Sequence, residues 1–114
     1  MPLHADLAFA RTEEATLCLD LHLPDGVRNP PILVSIHGGA WKTGTRKNPK
    51  SAWLVERGYA LASIDYRLSS QARFPAQIHD CKGAVRWLRA NAERFGYDAS
   101  RLAAIGFSAG GHLA

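Results

Sequence analysis

Sulfur is scarce in this sequence: 114 residues hold two cysteines and one methionine. Cys18 and Cys81 lack the companions that metal-ligand spacing requires, so no metal is expected, and no cofactor is expected either. Cys18 falls in a strand-like alternation and Cys81 on a helical apolar stripe. Both read as buried reduced thiols, which points to a cytoplasmic location. Long apolar runs are absent too. Nothing approaches the roughly 18 residues that suggest a bilayer span, so no membrane partner is expected. The opening Met1-Pro2-Leu3-His4-Ala5-Asp6 shows no basic segment followed by an apolar one, and no secretory signal is read there. Clustered charge is also missing. The net charge is +4, but Lys and Arg are scattered along the chain, which argues against a nucleic-acid partner. No repeat or low-complexity tract interrupts the sequence.

What is present is a succession of short apolar segments. Thr16 to Leu23 alternates, with Leu17, Leu19, Leu21 and Leu23 on one face and Thr16, Cys18, Asp20 and His22 on the other. That period of two predicts a half-buried strand, closed by Pro24-Asp25-Gly26. Ala8 to Arg11 is a candidate partner strand. Ile32 to Ile36 and Tyr59 to Ile64 are apolar throughout, as in parallel sheets covered on both faces. Between them lie a polar loop, Lys42 to Asn48, and a helix opened by Pro49, with Ala52, Trp53, Leu54 and Val55 as its apolar side and Gly58 as its stop. The spacing of Ile78, Cys81, Val85, Leu88 and Ala92 predicts one long helix from about Ala76 to Phe95, ended by Gly96. Tyr97 to Arg101 reads as a turn, and Leu102 to Phe107 as a buried strand. Alternating strands and helices after an antiparallel beginning predict an α/β sheet, mostly parallel, with helices on both faces.

Two motifs occupy strand ends in this scheme. Gly106-Phe107-Ser108-Ala109-Gly110 fits G-x-S-x-G between a strand and a helix, the context in which a serine stands exposed on a sharp turn. The amide of Ala109 then faces the place where charge develops on a substrate carbonyl. The same residues also suit a glycine turn with a serine helix cap. His37-Gly38-Gly39-Ala40-Trp41 follows the strand Ile32 to Ile36. Its glycines let main-chain N–H groups approach a ligand at the carboxyl edge of the sheet, where open α/β sheets bind. A plain glycine turn is the alternative. Together, in this order and on these strand ends, the two motifs point to acyl transfer.

Those residues, with Phe74 to Asn91, Gly96-Tyr97-Asp98 and Arg101, resemble the α/β-hydrolase superfamily. More narrowly, they resemble its esterase and lipase branch with an HGG motif, including feruloyl-esterase-like, hormone-sensitive-lipase-like and kynurenine-formamidase-like enzymes. The resemblance runs from about Leu17 to the end of the chain. It implies Ser108 as nucleophile and the amides of Gly38, Gly39 and Ala109 as an oxyanion hole. His37, Gly106 and Gly110 would support the motifs, and Trp41 and Tyr66 are candidate pocket residues. In that family an acid and then a histidine follow the serine. Only six residues follow Ser108 here, none acidic. Residues 1–114 therefore read as a single partial α/β-hydrolase domain, its amino-terminal portion, ending just after the elbow.

Other groups have duller readings. His112, one turn beyond Ser108, is expected to pack beneath the elbow, and His4 and His22 to lie on the surface. His79 and Asp80 are adjacent on a helix and face different ways. Asp65 is expected to pair with Arg67 or another loop group. Lys42, Arg46, Lys47 and Lys50 suit either an acidic substrate or a solvated loop. Trp41, Tyr66 and Phe74 suit either a pocket wall or loop packing. Three functions follow: an ester hydrolase working through an acyl-enzyme, a formamidase or amidase on the same machinery, and a non-catalytic fragment or interaction module. The first two take a small-molecule ester or amide. The elbow strand would present an open sheet edge, a route to self-association.

Overall fold

A computed structural model describes residues 3–39, 44–47, 49–68, 70–107 and 109–114. Among the described residues five strands are formed: β1 (Leu3–Arg11), β2 (Thr16–His22), β3 (Pro31–Ile36), β4 (Ala60–Ile64) and β5 (Asp98–Gly106). They make one sheet in the order β1-β2-β4-β3-β5. β1 runs antiparallel to β2 and β2 antiparallel to β4, whereas β3 is parallel to both β4 and β5. The alternation in β2 places Leu17, Leu19 and Leu21 in the core at no more than 2% exposure. β4 is buried along its whole length.

Side-chain alternation divides the sheet into two covered faces. Ile32, Val34 and Ile36 of β3 lie level with Ala60, Ala62 and Ile64 of β4. They share a core with Cys81, Ala84 and Leu88 of helix α1 (Ala76–Ala90). Ser35 points the other way, to a 3-10 helix over Ala52–Arg57, and its hydroxyl lies 2.9 Å from that of Ser51. The expected helix after Pro49 is therefore a short 3-10 turn. Val55 is its buried residue, while Trp53 is 59% exposed rather than on the apolar side.

Three other expectations need correction. The long helix breaks at Asn91, leaving α1 and a single turn, α2 (Ala92–Phe95). The Asn91 amide and backbone N–H both donate to the Trp87 carbonyl, so its side chain competes for the bond that would continue the helix. The turn expected over Tyr97 to Arg101 instead opens β5 at Asp98, whose carboxylate accepts from Ser100 N–H and Arg101 Nε while the pairing with β3 skips register. Finally, β5 is not a buried strand. Ala103 and Ala104, on opposite faces, are both exposed, because β5 is the last strand of the sheet among the described residues.

Candidate active site

In-register parallel pairing sets the geometry of the functional edge. Ile36 lies level with Ile64 on one side and Gly106 on the other, so His37, Asp65 and Phe107 leave the sheet at the same edge. The elbow is packed directly on the end of β3. Phe107 N–H donates to the Ile36 carbonyl at 3.4 Å, and Gly110 N–H to the Phe107 carbonyl at 2.9 Å. A methyl group at residue 110 would collide with the carbonyls of Ile36 and His37, and one at residue 106 with the Gly110 carbonyl. Only glycine lets helix α3 (Ala109–Leu113) start this close to the two strands.

The glycine loop is held from beneath. The Tyr66 ring stacks on the His37 imidazole, centroids 4.3 Å apart and planes 13° from parallel. The Tyr66 hydroxyl donates to the His37 carbonyl at 2.9 Å. Burial, with a smaller contribution from Cys81, pushes that phenol up to about 12, so it remains a donor. His37 Nδ1 lies 2.8 Å from the Gly38 carbonyl. A carbonyl only accepts, so Nδ1 carries the proton. A cavity of about 310 Å³ opens here, lined by His37, Gly38, Gly39, Lys50 and Phe107 among others. Gly38, Gly39 and Phe107 thus border one space. Tyr66 stands behind His37 and borders an adjoining space with His37, Gly44 and Asp65. Gly106 and Gly110 are at the contact between elbow and β3, and Ala109 is the first residue of α3. Ser108, Trp41 and Lys42 lie outside the described residues.

Other predicted groups take different places. His112 is exposed rather than tucked under the elbow, and its ring lies 5.6 Å from that of Phe74, itself exposed. His4 is exposed, but His22 is half-buried, and burial more than any other influence lowers its pKa from 6.5. His79 is exposed and Asp80 buried, as their adjacency on a helix requires. Asp80 receives the Arg67 guanidinium at 2.9 Å and the Arg67 N–H at 2.8 Å. Asp65 pairs with Arg46, not Arg67, at 2.6 Å. Arg46 is therefore no solvated loop cation, and its Nε also reaches Asp20 at 3.1 Å. The alternation of β2 predicts Asp20 on its open face, yet the loop covers it to 3% exposure. The available signal was a carboxylate within a strand and a guanidinium in the loop crossing it. Among the described residues no group of three His, Cys, Asp or Glu side chains is placed to hold a metal ion, and no helix is long and apolar enough to cross a membrane.

The family pattern described as BD-FAE matches residues 19–114. The chain belongs to the BD-FAE family. This BD-FAE chain is 43% identical over 86 residues to esterase LipC of Mycobacterium tuberculosis, an alignment covering 73% of the chain and 21% of LipC. It is 37% identical to carboxylesterase NlhH of the same species, covering 90% of the chain and 36% of NlhH. It superimposes on the thermophilic esterase Est2 of Thermogutta terrifontis with a TM-score of 0.86 at 27% identity, covering 96% of the chain and 41% of Est2. The esterase 2 of that species phosphorylated by paraoxon is similar at a TM-score of 0.85. The BD-FAE chain spans well under half of the length of these curated relatives. Its five-stranded mixed sheet is part of the α/β-hydrolase fold of these esterases.

Proposed function

We propose that the chain is the amino-terminal portion of a serine hydrolase of carboxylic esters, with Ser108 as nucleophile and the N–H groups of Gly38, Gly39 and Ala109 as oxyanion donors. The observation that carries this reading is the contact of Gly110 with the carbonyls of Ile36 and His37, which brings the elbow and the glycine loop to one rim. Membership of a family whose relatives are named esterases supports the chemistry.

In this mechanism the Ser108 hydroxyl adds to the ester carbonyl while a base takes its proton. The carbonyl oxygen becomes an anion between main-chain donors whose positions are fixed before the substrate arrives, so little reorganisation is needed. Collapse expels the alcohol, which takes up the proton, and leaves an acyl-Ser108 that water hydrolyses. His112 is poorly placed as base: it stands one turn along α3, exposed and against Phe74. We assign the acid and the base to residues outside these 114. Residues 1–114 are thus one partial domain, which takes a small-molecule ester. The two free cysteines suit a cytoplasmic location.

The test is turnover of short p-nitrophenyl esters and of N-formylkynurenine by a polypeptide that adds the acid and base to these residues. Ester hydrolysis should dominate and be lost, by about 10⁴-fold or more, in Ser108→Ala. Retained turnover in that variant would remove Ser108 from the mechanism. Preference for the formamide would make the enzyme an amidase.

A further inference from the structure

Arg46 departs most from its expected role. Its guanidinium donates Nε to Asp20 at 3.1 Å and Nη1 to Asp65 at 2.6 Å, and Nη2 pairs with Asp6. These carboxylates come from β2, the end of β4 and β1. Two are themselves fixed by main-chain donors: Asp20 accepts from Asp6 N–H at 2.9 Å, and Asp65 from Cys18 N–H at 3.2 Å. The Arg46 carbonyl accepts the Ser63 hydroxyl at 2.6 Å. Residue 46 is therefore fastened through both its side chain and its main chain. The planar guanidinium offers its donors in a fixed fork, one nitrogen to each carboxylate, and the Lys47 ammonium joins Asp6 and Asp20 beside it, 3.1 Å from each.

Two residues earlier the chain passes against the glycine loop. Gly44 has φ +104°, and a Cβ there would occupy the space of the Gly38 carbonyl oxygen and His37 Nδ1. The backbone at residue 44 thus abuts the His37–Gly38 hydrogen bond on one side, while Tyr66 stacks on the imidazole. In a trans peptide the Gly38 C=O and the Gly39 N–H point in opposite directions. Whatever fixes the first also aims the second.

We propose that Arg46 is a positioning residue of the oxyanion loop: its three-carboxylate anchor seats Gly44 against the His37–Gly38 hydrogen bond and so sets the direction of the loop's N–H groups. The proposal rests on the reading of Gly38 and Gly39 as oxyanion donors. Arg46 touches no reacting atom and acts through Gly44 and His37. A purely structural role would lower stability without turning the His37 ring or the glycine amides.

The test is heteronuclear NMR of the imidazole nitrogens and backbone amides of the folded protein, with kinetics on the active polypeptide. The wild type should hold His37 with its proton on Nδ1. In Arg46→Gln the proton should redistribute between the two nitrogens and the Gly38 and Gly39 amide resonances should move, while those of Leu88 and Tyr97 in the core stay. The kcat should fall about 100-fold with KM little changed, the pattern of a misplaced donor. Arg46→Lys should recover part of both effects. If Arg46→Gln does not fold, Asp65→Asn removes one arm of the anchor and should give the same displacements in smaller measure. Unchanged His37 and glycine resonances in the folded variant, or a wild-type proton on Nε2, would overturn the proposal. The NMR readout needs no turnover. An inert Ser108 would therefore defeat the functional reading and leave the anchor standing, whereas an active enzyme whose loop ignores Arg46 would defeat the anchor alone.

Discussion

Gly110 shows how one missing side chain fixes a site. Its α-carbon faces the last carbonyl of β3 and the carbonyl of His37, and no conformational change at residue 110 alone makes room for a methyl group. Gly110→Ala must push α3 away from β3 and take the elbow with it. The expected cost is about 1–3 kcal/mol of stability, as for other overpacked positions. Urea denaturation measures that loss, and a variant as stable as wild type would mean that the elbow is looser than described. The same scale explains what was legible. Gly106 and Gly110 are readable as places of close approach because only glycine tolerates them. The partners these two approach are not readable, since they are main-chain carbonyls with no sequence signature. Tyr66 reads in the sequence as either a pocket wall or loop packing; its stacking on His37 and its bond to the His37 carbonyl depend on the register between β3 and β4.

At the scale of elements, the sheet joins β1, β2 and β4 to the loop before the 3-10 helix through charge. Burial works against ionisation of Asp20, but the Asp6 N–H, Lys47 and Arg46 outweigh it and hold its carboxyl below the ordinary 3.8. Lys47 and Arg46 do the same for Asp6. A carboxylate with a depressed pKa contributes stability that is whole above 3.8 and is lost as pH falls through the depressed value. His22, on the same face of β2, is held below 6.5 mainly by burial, so its neutral form is the one that fits. Its contribution is whole above 6.5 and is lost as pH falls below that value towards the depressed one. Two acid steps in the denaturation midpoint are expected: His22→Gln should flatten the upper one and Asp20→Asn the lower one. A midpoint independent of pH across both windows would contradict the account.

Element boundaries were legible where period or composition was strong, as in β2, β3 and β4. They were hidden where polar side chains do main-chain work. Asp98 captures the Ser100 N–H and makes a strand start look like a turn, and Asn91 ends a helix whose apolar stripe continues. The polar start of β1 could not announce itself either. It is strand because β2 offers it a partner, with Leu3 level with His22 and His4 with Leu21.

For the whole molecule, the parallel strands β3, β4 and β5 deliver their loops to one edge, and the antiparallel β1 and β2 brace the other side of β4. The outer edge of β5 has no neighbour among the described residues, and Ala103 and Ala104 are open on both faces. The chemistry proposed for this edge needs one substrate oxygen to meet donors from the glycine loop and the elbow together. The most direct measurement is the crystal structure of a catalytically complete polypeptide carrying these residues after reaction with paraoxon. The account predicts phosphorus on the Ser108 hydroxyl and a phosphoryl oxygen about 3 Å from the nitrogens of Ala109 and of Gly38 or Gly39. An adduct on another residue, or a phosphoryl oxygen turned away from both loops, would contradict it.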